Sequence, residues 1–231
     1  SYLFTEDGNF QLSSLKQIKQ FPSVSLFKKF GVDTSNDLEL VKNYMNVQNK
    51  INLENKNKIR FMKTHSGFHD INGYKFTDLS NSLGVIYVVR DPRTIIKSFA
   101  NHHQLSLEDT LDKMLNFSTL TEATIHSKNN DERRITHMGS WASNYNSWKE
   151  FKKLKKYFLI KYEDLVSDPE KNLIKILSFI HTLGKLDLKI DNLKLKNTLN
   201  STTFIEMQKL ETEQGFPEAV KDKEGNNITF F

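Results

Sequence analysis

Lys63 and His65 stand two residues apart at the end of an apolar, β-leaning run, "IRFMKTH" (59–65). In an extended segment residues i and i+2 point the same way, so both side chains reach one cleft while Thr64 turns away. A histidine titrates near neutral pH and can take a proton from a hydroxyl, whereas a lysine stays cationic and can steady negative charge on a departing oxygen. A second pair lies downstream. Arg90 closes the run "LGVIYVVR" (83–90), and Ser98 follows on the next helix. An arginine fork can take a phosphate in bidentate fashion, and a nearby hydroxyl can add a further bond. Each pair has a plainer reading as well: a solvated Lys and His at a strand end, or Arg90 paired with a surface carboxylate and Ser98 idle.

Other constellations are weaker. His65 and His69 are four apart and His102 adjoins His103, but no Glu stands in an HExxH arrangement, so no metal site is expected. Glu163 and Asp164 are neighbours on an expected strand and would face opposite ways, which does not suit a paired acid and base. Trp141, Tyr145 and Trp148 recur at helical spacing and are read as core. The sole Gly-Lys pair, Gly184-Lys185, is followed by Leu186 and lacks the earlier glycine, so the chain has no GxxxxGK[ST] phosphate loop.

The elements that must position these residues follow from periodicity and caps. "QLSSLKQIKQ" (11–20) has helical spacing and should stop near Phe21-Pro22. A helix is expected from about Asn36 to Lys50, with an Asn36–Glu39 capping box and with Leu38, Val41 and Met45, joined by Leu40 and Tyr44, on its buried face. After the strand at 59–65 comes a loop with Gly67, Asn72 and Gly73. "LGVIYVVR" is continuously apolar, which fits a parallel strand covered on both faces. Directly behind it, Asp91 as N-cap and Pro92 at the first helical position turn strand into helix. Ser106 starts a further helix to about Phe117, and 126–134 is a polar loop. A helix is expected over about 138–154, then a strand "KYFLIKYEDL" (156–165). Asp168-Pro169 opens another helix to about Thr182, and the stretch from Glu211 on reads as mostly irregular. Strands separated by helices indicate an α/β protein with a parallel sheet, whose ligands sit beyond the carboxyl ends of the strands. Those ends carry Lys63 and His65, Arg90, and Tyr162 with Glu163.

The chain of 231 residues shows no internal repeat and is read as a single domain over 1–231. Its apolar share of 37% and charged share of 26% exclude a disordered polymer. No apolar run approaches the roughly 20 residues of a membrane helix. The absence of cysteine excludes disulfides, thiolate zinc sites and cysteine nucleophiles, and suits a reducing, cytoplasmic compartment. Of 33 basic residues against 28 acidic, only Arg60, Arg90, Arg93, Arg133 and Arg134 are arginine. Scattered lysine reads as a solvated surface rather than a nucleic-acid stripe, so a nucleic-acid partner is not expected.

Taken in order and at their intervals, "FMKTH", "VIYVVRDPRTIIKSFANH", "GSWASNYNSW", "LIKYEDLVSDPEK" and "TTFIEMQKLE" resemble the sulfotransferases that use 3′-phosphoadenosine-5′-phosphosulfate (PAPS). The resemblance covers residues 59–216, and its most specific element is the strand-Arg-Asp-Pro-helix segment with a serine eight residues after the arginine. It implies a P-loop NTPase-like α/β fold. It also implies sulfuryl transfer from PAPS to an acceptor hydroxyl or amine on a small molecule or glycan, with 3′-phosphoadenosine 5′-phosphate (PAP) as product and no metal. By the same resemblance His65 matches the catalytic base and Lys63 the lysine at the sulfuryl group and leaving oxygen. Arg90 and Ser98 match the pair on the 3′-phosphate, and Tyr162, Thr202 and Phe204 match adenine-site residues. "GSWASNYNSW" carries Asn144 where related sequences often have histidine. The family's first strand and phosphosulfate loop have no counterpart ahead of "SYLFTEDGNF", and "NNITFF" stops short of an Arg-Lys-Gly-like segment. A fragment of a longer product, binding its donor weakly, is therefore expected. The competing classes are a nucleotide-dependent phosphoryl transferase of kinase type and a non-catalytic nucleotide or RNA binder.

Overall fold

A computed structural model describes residues 1–56, 58–116, 120–122, 134–187 and 189–216. The chain is α/β, with parallel strand pairs flanked by helices. A 3-10 helix (Leu12–Gln17) leads into β1 (Lys19–Gln20), α1 (Val24–Lys29), α2 (Asp37–Lys42), α3 (Tyr44–Glu54) and β2 (Met62–Lys63). A hairpin of β3 (Asp70–Ile71) and β4 (Tyr74–Lys75) precedes β5 (Val85–Val89), α4 (Pro92–His103) and α5 (Leu107–Leu115). Then come β6 (Leu120–Glu122), β7 (Arg134–Thr136), α6 (Trp141–Ser147), α7 (Glu150–Lys153) and β8 (Tyr157–Lys161). The last described elements are α8 (Tyr162–Ser167), α9 (Pro169–Gly184), α10 (Asn192–Ser201) and α11 (Phe204–Gln214). None of the described helices is long and apolar enough to cross a membrane.

β1 pairs in parallel with β2, and β5 in parallel with β8 over five residues, Val85 opposite Tyr157 through Val89 opposite Lys161. The parallel sheet is thus two separate pairs among the described residues rather than one continuous sheet. Hydrogen-bond parity shows where each pair is open. Val85 N–H donates to Lys156 O, so the main-chain groups of Val85, Tyr87 and Val89 face β8 while those of Gly84, Ile86 and Val88 face away. Phe21 N–H donates to Lys63 O, so Lys63 faces β1 while Met62 and Thr64 face away.

The core is an aromatic pile. Phe21, Phe27, Tyr44, Phe76, Trp148 and Phe151 are all buried, together with Leu40, Val41, Val47 and Ile51 from the helices. Val85, Tyr87 and Tyr157 pack against it from one face of the β5–β8 pair, and on the other face Phe158 meets Phe179 of α9 at 5.4 Å. Coverage of β5 is incomplete: Val88 is 58% exposed, contrary to the two-sided burial that its apolar run suggests.

Several local expectations are corrected. The segment at 11–20 is a short 3-10 helix followed by strand, not a helix throughout. The helix at 36–50 breaks at Asn43 into α2 and α3; Asn36 caps it by accepting from Leu38 N–H at 2.9 Å, but Glu39 turns to Lys42 instead of closing the box. Leu38 is exposed, while Val41 is buried as expected, together with Leu40 and Tyr44. The turn at Asn72-Gly73, with both φ values positive, forms the two-residue connection of a hairpin. The helix at 138–154 is two short helices, α6 and α7. The strand at 156–165 ends at Lys161, because Tyr162 already begins α8; the opposed-face argument for Glu163 and Asp164 therefore lapses. The region expected to be irregular from Glu211 is helical to Gln214, and the polar loop at 126–133 lies outside the described residues. The caps at Asp91, Ser106 and Asp168 are as expected, each side chain accepting a hydrogen bond from the first turn of its helix.

Candidate functional site

β2 ends at Lys63, and the chain leaves it through Thr64 and His65, with both Lys63 and His65 among the residues that line one cavity of about 770 Å3. Its walls are Phe61–Ser66 on one side and Leu83–Val88 on the other, so the open edges of β2 and β5 border the same space. Phe99, Met114, Met138 and Trp141 give it an apolar far wall. Thr64 also reaches the cavity, so the division of faces expected from strand alternation is blurred where the strand stops.

What fixes this strand end is not a sheet ladder but α6. Asn144 Nδ2 donates to His65 O at 3.1 Å and to Met138 O at 2.9 Å, while its Oδ1 accepts from Tyr87 Oη at 2.9 Å. Trp148 Nε1 donates to Ser66 O at 3.1 Å, and Phe68 N–H donates to Ser147 Oγ at 2.8 Å. Gly67 N–H donates to His137 O at 2.9 Å. Burial lowers the pKa of both His69 and His137 below the ordinary histidine value; at His137 the charge of Asp37 opposes this and the charge of His69 adds to it, with burial prevailing. Burial raises the Tyr87 phenol to about 12, so at neutral pH it remains a hydrogen-bond donor.

The second group sits at the carboxyl end of β5. Arg90 is exposed, and its guanidinium lies over the Tyr162 ring at 4.4 Å from the centroid. Because Tyr162 opens α8 immediately after β8, the parallel register of β5 and β8 brings the two residues together. Arg93 is occupied by Asp91, whose carboxylate it holds down to about 2 through side-chain hydrogen bonds. Ser98 is exposed on α4, its Oγ donating to Ile95 O at 2.9 Å, between Ile95 and Phe99, which both line the cavity. Thr202 and Phe204 lie at the α10–α11 junction: Thr202 Oγ1 donates to Thr198 O at 2.7 Å, and Phe204 is 58% exposed.

The sequence-derived residues thus fall into a cavity pair (Lys63 and His65), a ledge pair (Arg90 and Tyr162) with Ser98 on the adjoining helix, and a separate helical junction (Thr202 and Phe204). Sequence reasoning missed Asn144, Ser147 and Tyr87 as the clamp behind His65. The available signal was "SNYNSW", in which Asn144 and Trp148 are four apart on one helical face.

The family profile described as "Sulfotransferase domain" matches residues 6–227. No curated protein matches the chain. Among solved structures, mouse sulfotransferase SULT7A1 complexed with PAP is similar at 22% identity and a TM-score of 0.45, over 68% of this chain and 50% of that one. The chain therefore spans half the length of that structure. With nearly its whole length matched by that profile, the chain belongs to the sulfotransferase domain family.

Proposed function

We propose that this chain moves a sulfuryl group from PAPS to an acceptor hydroxyl or amine on a small molecule or glycan. The observation that carries the reading is that Lys63 and His65 line one cavity while Arg90, at the end of a strand bordering that cavity, holds its guanidinium over the Tyr162 ring at the start of α8. His65 takes the proton of the acceptor as the acceptor oxygen or nitrogen attacks sulfur. The new bond to sulfur forms as the bond from sulfur to the 5′-phosphate oxygen breaks, and that oxygen keeps the electron pair. The Lys63 ammonium lies against this oxygen and offsets its growing charge. Such transfers resemble phosphoryl transfer in having a loose, in-line transition state, so placement and electrostatics supply most of the rate. Removing His65 should cost about 10²- to 10⁴-fold.

In the same reading Arg90 and Ser98 hold the 3′-phosphate, with Tyr162 beside the adenine and Thr202 and Phe204 completing the adenine site. Arg90 stacked on Tyr162 is suited to this, because cation–π contact fixes the plane of the fork before a phosphate arrives.

The test is calorimetry with 3′,5′-adenosine bisphosphate against 5′-AMP. The bisphosphate should bind about 10- to 100-fold more tightly, the range expected of hydrogen bonds to a charged group, and Arg90→Ala should erase the difference. Equal affinity of the native chain for the two nucleotides overturns the assignment.

A further inference from the structure

Asn144 spends its whole amide on three different elements. One Nδ2 hydrogen goes to the carbonyl of His65 beyond β2, the other to the carbonyl of Met138 ahead of α6, and Oδ1 receives the phenol of Tyr87 from β5. The amide cannot be turned over: the reverse orientation would set its oxygen against two carbonyls, which have no proton to offer. With Oδ1 facing Tyr87 the phenol must donate, since an amide oxygen can only accept, and burial, which raises its pKa to about 12, keeps the proton in place. The arrangement is therefore a single-valued brace between the end of one parallel pair and the middle of the other.

We infer that Asn144 is a positioning residue for His65: by holding the His65 carbonyl it fixes the main chain from which the imidazole enters the cavity. The inference rests on the proposed role of His65 and adds a residue to it. Two physical points make asparagine specific here. The clamp needs two donors and one acceptor at one place, which a carboxamide supplies. A histidine side chain has two ring nitrogens and could serve only two of the three partners. The clamp also has no ladder to help it, because β2 ends at Lys63 and the main chain at His65 is past the strand. Neighbouring contacts at Ser66, Gly67 and Phe68 hold the loop that follows, and the Asn144 bond is made to His65's own main chain.

The experiment uses Asn144→Ala and Asn144→Asp in the full chain, with three readouts. The first is the NMR titration of the His65 ring, identified by the resonance missing in His65→Ala. The second is kcat against acceptor KM for sulfuryl transfer. The third is affinity for 3′,5′-adenosine bisphosphate. In both variants the His65 titration should move, kcat should fall by about 10- to 100-fold with KM within a factor of about three, and nucleotide affinity should stay native, as expected for a misplaced base in an intact donor site. Asn144→Asp keeps the shape of the side chain, so it carries the test if the alanine variant does not fold. A native His65 titration and native kcat in a folded Asn144→Asp protein overturn the inference. Because the NMR readout needs no turnover, it still decides the positioning claim if sulfuryl transfer itself is not found, while loss of bisphosphate selectivity in the native protein would count against the functional reading instead.

Discussion

Trp148→Phe removes one hydrogen bond and part of one ring from a place where both can be counted. The indole is 5% exposed and donates to the carbonyl of Ser66, itself 1% exposed, at 3.1 Å. A phenyl ring offers that carbonyl nothing, and water has little access to it. An acceptor stranded in this way costs about 1–3 kcal/mol. The indole also lies 5.4 Å from Phe68, 5.8 Å from Phe76 and 5.9 Å from Phe151, and a smaller ring weakens at least one such pair by about 0.5–1.5 kcal/mol. The sum, about 1.5–4.5 kcal/mol, is a large part of the 5–15 kcal/mol that holds a typical domain folded. For a chain of this size the melting temperature should drop by about 3–18 °C. Urea unfolding followed by far-UV circular dichroism measures the free energy directly, with an unchanged slope expected because the core collapses to the same extent. A variant within about 0.5 kcal/mol of the native protein would refute the reasoning, since it would mean that the Ser66 carbonyl finds another donor at no cost.

Gly84→Ala should destabilise the junction of β5 and β8 by about 1–3 kcal/mol, because an added Cβ would stand 2.9 Å from the Lys156 carbonyl, itself bonded to Val85, and 2.4 Å from Leu183 Cδ1; thermal melting reads this, and a neutral result would mean that the strands separate freely there. Stability should fall as pH drops below the ordinary histidine value of 6.5: the folded-state pKa values of His69 and His137 are lowered, so the unfolded chain binds more protons over that range, and the contribution present above 6.5 is lost as pH falls through the lowered values. Melting temperatures compared across that window in His69→Gln and His137→Gln should show a flatter acid limb than the native protein, and an unchanged limb would remove these two residues as its cause.

Much of the frame was legible because it depends on short-range chemistry. Asp91-Pro92, Ser106 and Asp168-Pro169 mark helix starts through a side-chain acceptor placed within three residues of the N–H it satisfies, and no distant contact is needed to decide that. The extents of the other elements were less legible because tertiary contacts set them. β2 shrinks to two residues since, among the described residues, only β1 pairs with it, and Tyr162 leaves its strand for a helix although "KYFLIKYEDL" has no proline or glycine to mark the break. At the candidate site, spacing alone singles out Lys63 and His65 as a pair on one strand face, and the roles expected of them come from the family resemblance. Their supports could not be found from spacing, because Asn144 and Trp148 lie 79 and 82 residues from the carbonyls they hold, and sequence offers no register across such distances.

That separation determines how the site is held together. Lys63 and His65 extend from one parallel pair and Arg90 from another, and no main-chain ladder among the described residues joins the two pairs. Their relative placement must then be carried by side chains, and α6 supplies them: Asn144 reaches both pairs, through His65 and Tyr87, while Ser147 and Trp148 hold the loop that follows. A ladder spreads positional error over many equivalent bonds, whereas a brace of three or four side-chain bonds concentrates it. Substitutions on the inner face of α6 should therefore disturb the geometry of His65 relative to Arg90 more than substitutions of equal cost elsewhere in the core, such as at Leu177 on α9.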